Sequence, residues 1–335
     1  MRKIYFRTSA GGKEGWGNIF RLLTIYQILK KKEKFNNLFI FQGNNFVSKH
    51  LKSNNIRNIK LKNKVSLIDE EKILKKIGNS DITIMEMLDC NFYRQKIYKK
   101  YTKKLIVFDD ILKNKYCSDK LICAQYTKKK IKNINFYSGY NYFPIRKDFA
   151  NFQNKNKKIN KKIKKILVCL GGSAYKGANM KLLKYFLKKK YYVTFILGDE
   201  NKTNFKNLKL PKNINFKYKI KNLSKYIFNS DLVISGGGYV KIESAHLGTP
   251  MITLPVQKHQ LELVKNFKLK FNVSYLDFHS KLKYKLVDKL IAKYTYKFRL
   301  KLRKKFNLTF KKKRINKNIT NLDSHRVNKE NVEVA

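Results

Sequence analysis

Short apolar runs alternate with amphipathic stretches along the first half of the chain. "KIYF" predicts a strand, and "GNIFRLLTIYQILKKK" carries apolar residues at helical spacing. "NLFIFQG" predicts a second strand, and "SLIDEEKILKKIG" a helix that closes on Gly78. "DITIMEM", "KLIVFDD" and "KLICAQ" follow as strands. The pattern then lapses in "NFQNKNKKINKKIKK", residues 151–165, which is polar and reads as an interdomain linker.

A second series starts beyond it. The strand "KILVCLGGS" leads to a helix "MKLLKYFLKKK", a strand "YVTFILG", a strand "INFKYKI" and the segment "LSKYIFNSDLVISGGG". The helix "YVKIESAHLG" and the strand "PMITLPV" come next. Strands alternating with helices imply parallel pairing in a doubly wound α/β sheet. Each half opens with a strand, a glycine-rich turn and a helix. The expected organisation is two Rossmann-like domains facing a cleft, residues 1–150 and 166–310, followed by a tail at 311–335. In such sheets ligands bind beyond the carboxyl ends of the strands, where the glycine turns lie.

Composition agrees with two folded domains. The 335 residues are 43% hydrophobic and 13% aromatic, enough for two cores. The net charge of +55 needs a cause, but only ten of the 77 basic residues are Arg. Base readout and bidentate phosphate clamps rely on Arg, and the lysines are scattered, so solvated surface lysines are expected rather than a specific nucleic-acid partner. Peripheral contact with an anionic membrane is the other use such a charge has. Cys90, Cys117, Cys123 and Cys169 form no C-x-x-C pair and have no His cluster nearby, so free thiols in a reducing cytoplasm are expected and no metal site. Arg2, Lys3 and Arg7 flank only a short apolar run, and no segment reaches the length of a membrane span.

The sharpest chemical signal is "SDLVISGGGYVKIESAHLGTPMITLPVQKHQ". A buried strand runs into Gly236, Gly237 and Gly238, and a helix follows. Consecutive glycines let backbone N–H groups approach an anion, and the helix N-terminus adds unpaired donors suited to a diphosphate. Glu243 on that helix can accept both hydroxyls of a ribose. Glycines of this kind also serve plain tight turns, but glutamate, glycine and proline in fixed register favour a nucleotide site. Gly172 and Ser173, after the strand "KILVCL", can line the same cleft. At the end of "LIVF", Asp109 and Asp110 offer acid/base chemistry or sugar binding, although adjacent residues point apart and one of them is expected to brace a loop. Of the five histidines only His259, in a loop after a parallel strand, is expected in the cleft.

These residues resemble the UDP-sugar hydrolases of pseudaminic acid biosynthesis (the PseG family, acting on UDP-2,4-diacetamido-2,4,6-trideoxy-β-L-altropyranose). More loosely, they resemble MurG-type GT-B glycosyltransferases. Arg7 is followed at the family distance by Gly15-Trp16-Gly17-Asn18-Ile19-Phe20-Arg21, against the family's G-x-G-H-x-x-R. Asp109-Asp110 match a D-D pair, "YSGYNYFPIRKDF" matches a stretch ending in Gly, an aromatic and Arg, and His259-Gln260 stand for a terminal N-Q. Ser235, Gly237, Gly238, Glu243, Gly248 and Pro250 match S-x-G-G-x-x-x-x-E-x-x-x-x-G-x-P. The resemblance spans about residues 1–275. It implies a GT-B fold with a UDP-sugar in the interdomain cleft and no cofactor. Gly17, Gly172, Ser173, Gly237, Gly238, Glu243 and Gln260 would then hold the nucleotide, and water would displace UDP at the anomeric carbon with inversion.

The chain departs from the family at Asn18, which replaces the expected catalytic His. An amide binds no proton near neutral pH and cannot act as a general base. Asn18 can still hydrogen-bond a phosphate or sugar hydroxyl, and His259, standing where the family has Asn, can take over as base if the two positions face each other. Asn18, His259 and Asp109 are thus the candidate catalytic residues. The readings left open are hydrolysis, glycosyl transfer from a UDP-sugar, and a silent nucleotide-sugar-binding relative.

Overall fold

The computed structural model describes residues 1–11, 15–152, 155, 157–172, 176–198, 205, 208–218 and 220–310. Two parallel sheets carry the architecture. The first has seven strands in the order β3-β2-β1-β4-β5-β6-β7. These are β1 (Lys3–Ala10), β2 (Asn36–Gly43), β3 (Asn58–Leu61), β4 (Ser80–Glu86), β5 (Thr102–Phe108), β6 (Lys120–Cys123) and β7 (Asn135–Ser138). The second has five strands in the order β10-β9-β8-β11-β12: β8 (Lys165–Cys169), β9 (Tyr192–Ile196), β10 (Ile214–Lys217), β11 (Leu232–Gly236) and β12 (Met251–Leu254). Every pairing within both sheets is parallel.

The central strands are apolar on both faces, as parallel strands covered by helices must be. β1 is buried from Ile4 to Ala10, and β11 over its whole length. The edge strands β3 and β7, absent from the sequence reading, are four residues long and partly exposed. Their polar composition, "NIKL" and "NFYS", carries too little alternation to announce a strand. Helix α1 (Gly17–Lys30) packs on β1 through Ile19, Leu22, Leu23, Ile25, Tyr26 and Leu29. Helix α2 (Asn45–Ser53) precedes β3. Helix α3 (Leu67–Ile77) starts on the Ser66 side chain, which accepts from the Asp69 N–H, and ends at Gly78 with φ 78°.

The 151–165 stretch does not run free between the sheets. Lys157 is buried and donates to the Phe228 and Ser230 carbonyls, and the Asn160 amide donates to Asp231. Arg299, on the helix Tyr296–Phe310, donates to the carbonyls of Asn160 and Lys161 at 2.9 Å each. The polar residues that mark this stretch as a linker in the sequence therefore dock it onto the second sheet's domain. From the first sheet's side, Tyr140, just beyond β7, reaches across to lie among Phe267, Phe271 and Phe310, with ring centroids 5.5–6.0 Å away. All four cysteines are free thiols, and Cys90, Cys123 and Cys169 are buried. Among the described residues no helix is long and apolar enough to cross a membrane.

A buried polar knot underlies the first sheet. Glu70 accepts from Arg7 Nε at 2.5 Å, from Arg94 Nε at 2.9 Å and from the Tyr98 hydroxyl at 2.8 Å. Burial pushes the Glu70 carboxyl up, but the Arg7 and Arg94 guanidinium groups override it and hold it below its ordinary value. A carboxyl depressed in the folded state adds stability above its unfolded pKa and loses it as pH falls through the folded one. Glu70→Gln leaves the buried Arg7 guanidinium without a carboxylate partner, while Arg94 keeps Asp89, and should cost about 3–5 kcal/mol at neutral pH. Urea unfolding of wild type and variant should show that gap close as the solution is acidified below the carboxylate range.

Candidate active site

In both sheets the strand order reverses beside the first strand. The switch points lie between β1 and β4 in one sheet and between β8 and β11 in the other. Loops leaving neighbouring strands in opposite directions open a crevice there. The fold turns the two crevices toward one another, so the loops after β1, β4, β5 and β6 meet those after β8 and β11.

On the first side the organising group is Arg21 of α1, whose side chain is 1% exposed. It pairs with Asp110 through Nη2 and with Glu86 through Nη1 at 3.2 Å. Asp110 is itself fixed by the Ala124 N–H and the Gln125 amide, both at 2.8 Å. Burial pulls the Arg21 guanidinium down, but Asp110 and Glu86 more than restore it, so it stays charged. Glu86, the last residue of β4, behaves differently. Desolvation outweighs its attraction to Arg21, and its pKa is pushed up to about 8. Its Oε1 accepts the Tyr239 hydroxyl at 2.5 Å, while Oε2 is shut off from solvent with no hydrogen-bond partner among the described residues.

The adjacent carboxylates divide their work. Asp109 Oδ1 accepts the N–H groups of Ile111 (2.7 Å) and Leu112 (3.1 Å). Its Oδ2 accepts the Asn114 amide (3.1 Å) and the Tyr116 hydroxyl (2.8 Å). Asp109, the member singled out for chemistry, is the one that braces its loop. Asp110 orients the guanidinium at the seam.

The second side is built on β11 and the helix Val240–His246. Lys241, fully buried, donates to Gln125 Oε1 and the Gly237 carbonyl at 2.7 Å, and to the Gly238 carbonyl at 3.1 Å. Burial pulls its pKa down to about 7, against the pull of Asp110. Gln260 Oε1 accepts the N–H groups of Gly237 (3.2 Å) and Val256 (3.0 Å), latching the glycine loop to the start of the helix Gln260–Phe271. Glu243 is paired with Arg146 at 2.9 Å. Burial raises its pKa, and Arg146 opposes the rise. His259 is half-buried, its pKa lowered by burial and by Lys113 and Lys241. Asn18 lies half-buried in the first turn of α1, and no described contact joins it to His259. Ser173 lies outside the described residues.

Several glycines are required by what packs on them. A Cβ at Gly17 would lie 3.0 Å from the Tyr239 ring, and one at Gly237 would lie 2.6 Å from Gln260 Cβ. A Cβ at Gly172 would lie 2.5 Å from Trp16 Cδ1, across the seam. Gly238 differs, since nothing lies within 4 Å of its Cβ position among the described residues. It leaves backbone open to a ligand beside Glu243. Tyr239 closes the seam: its ring lies 4.1 Å from the Arg21 guanidinium carbon and 5.4 Å from the Phe143 ring. Sequence reasoning missed Glu86, Tyr239 and Lys241 as members of this site, and quoted Arg146 only as the Arg of a matched motif, with no role given. For Glu86 a signal was present, a lone carboxylate ending the apolar run "ITIM" at the carboxyl end of a strand.

Residues 154–319 match the Glycosyltransferase family 28 C-terminal domain. The protein MJ1062 of Methanocaldococcus jannaschii is 26% identical over 297 residues, which are 82% of this chain and 60% of that protein. The chain thus spans about 60% of the length of this curated relative. MurG of Acinetobacter baumannii superposes with a TM-score of 0.60 at 12% identity, covering 90% of this chain and 95% of MurG. The spinosyn rhamnosyltransferase SpnG, solved with spinosyn aglycone, gives 0.60 at 10% identity, covering 92% and 97%. The chain therefore has the GT-B glycosyltransferase fold, as its resemblance to MurG-type enzymes implied.

Trp16 is the single tryptophan of the chain and rests against Gly172 across the seam. Gly172→Ala should push the indole off its seat and red-shift its emission. An unchanged spectrum would show that the contact is not kept in solution.

Proposed function

We propose that the protein processes a UDP-sugar at the seam, displacing UDP at the anomeric carbon with water as the nucleophile. One observation carries the reading. The glycine turn after β11, with open backbone at Gly238 and a buried carboxylate at Glu243, is set by the fold against the turn that opens α1, inside the segment that matches the family 28 domain. Glu243 would take the ribose hydroxyls, exchanging Arg146 for them, and the released guanidinium would be free to meet the diphosphate. Gly17, Gly172 and Ser173 would line the diphosphate from the two turns, while Gln260 holds the Gly237 loop in shape. Asn18 would donate a hydrogen bond to the phosphate or sugar. His259, whose lowered pKa keeps the imidazole neutral, would face the sugar from the second domain. Asp109 would serve through its loop. Water as nucleophile, and a place in pseudaminic-acid-like surface-glycan synthesis, rest on the resemblance of the "GWGN" and "SGGGYVKIE" segments to the hydrolases.

A second reading, transfer of the sugar to an acceptor hydroxyl, is favoured by the family 28 match and by Asn18, which removes the family's base. Incubation with a panel of UDP-sugars, following UDP release with and without acceptors, separates the two. Release without acceptor supports hydrolysis, and release only with acceptor supports transfer. Absence of both release and UDP binding overturns the proposal. Glu243→Ala should raise the KM for the UDP-sugar at least about tenfold, the loss of a charge-assisted hydrogen bond of about 1.5–3 kcal/mol.

A further inference from the structure

Glu86 meets Arg21 and Tyr239 through one carboxyl oxygen, and its other oxygen shares no part of that role. The chain puts a carboxyl at the carboxyl end of β4, beside β1 at the switch point, with 4% of its surface exposed. Oε1 is engaged by Tyr239 from the second domain and by Arg21 from α1. Oε2 is buried and unpartnered. A buried carboxyl oxygen left without a donor is costly, and a catalytic role is one explanation for such an atom. The reaction proposed above needs a proton acceptor, and Asn18 cannot be one.

We propose that Glu86 is the general base of this enzyme, Oε2 taking the proton of the attacking nucleophile; this rests on the UDP-sugar reading. As the nucleophile's oxygen bonds to the anomeric carbon, its O–H proton passes to Oε2. The bond from the anomeric carbon to the β-phosphate oxygen breaks, and its electron pair leaves with UDP. Arg21 and the Tyr239 hydroxyl hold the carboxyl in place through Oε1, and Oε2, closed to solvent here, would meet the nucleophile once a bound UDP-sugar parts the seam beside it.

The surroundings set the pH dependence. Burial raises the Glu86 pKa, Arg21 on α1 and the hydroxyl of Tyr239 lower it, and Asp110 and Asp109 after β5 raise it, giving about 8. Lys241, from the second domain, faces the same group of charges through Asp110. A base must be ionised to act, so turnover should rise with pH and level off above about 8.

The experiment measures kcat and KM against pH with a panel of UDP-sugars, together with UDP binding and thermal melting. Glu86→Gln keeps the shape and can still accept from Tyr239. It should lose about 10²–10⁴-fold in kcat, the usual contribution of a general base, with UDP binding retained. Glu86→Asp should keep partial turnover and the acid limb. Tyr239→Phe removes the hydrogen bond that lowers the Glu86 pKa and should move the limb to higher pH. Glu86→Gln with wild-type kcat, or with its acid limb intact, would overturn the inference while UDP release keeps the functional reading. So would loss of turnover only together with loss of UDP binding and of the fold, with no acid limb in Glu86→Asp. Wild-type protein that binds UDP but turns over no sugar counts against the proton-transfer role alone. Wild-type protein that neither binds nor releases UDP removes both.

Discussion

The Arg21 guanidinium is taken out of water at the seam between two sheets, and that burial stands only because three elements compensate it at once. Asp110, just beyond β5, supplies charge, Glu86 at the end of β4 meets the guanidinium with a carboxyl oxygen, and the Tyr239 ring covers the open face from the second domain. Removing one partner of a buried pair leaves the other charge stranded, which is far worse than losing a surface contact. The positions of β4, β5, α1 and the glycine turn are therefore not independent of one another. Each is fixed partly by where Arg21 must be satisfied.

The same constraint explains why the seam is built from glycines and large rings together. Tyr239 reaches Arg21 and Glu86 past Gly17, where a Cβ would lie 3.0 Å from its ring, and Trp16 rests on Gly172, where a Cβ would lie 2.5 Å from the indole. Close approach between the domains uses the missing side chains that a nucleotide would also use. Ligand binding and domain contact thus draw on the same surfaces. The Arg146–Glu243 pair is the clearest instance, because a ribose on Glu243 requires the guanidinium to move. Lys241 and Gln260 play the supporting part, holding the carbonyls and N–H of the glycine loop in one arrangement from inside.

Much of the fold was legible along the chain. Apolar runs such as "LIVF" and "ILVC" become central strands because both of their faces are covered. The edge strands β3 and β7 were not legible, since exposed edges tolerate Asn, Lys and Ser. The 151–165 stretch shows the limit of composition. Its lysines and asparagines read as solvated, yet Lys157 and Asn160 are held by partners such as Phe228, Ser230 and Asp231, tens of residues away. In the site, the carboxylate pair Asp109-Asp110 was visible, but which of the two faces the seam was not, because adjacent side chains diverge and only the loop's hydrogen bonds assign them.

By itself the sequence determined the alternation of strand and helix, the two glycine turns at strand ends and the register of Glu243 behind Gly236–Gly238. These follow from local spacing, which chain geometry enforces. The tertiary structure alone decided what those turns face. It brought Glu86, Arg21 and Asp110 from three separate elements against Tyr239 and Lys241, and it left Glu86 Oε2 buried without a donor among the described residues. Charge, burial and the acidity of a carboxyl depend on neighbours distant in the chain, so no local pattern around "ITIME" could carry them.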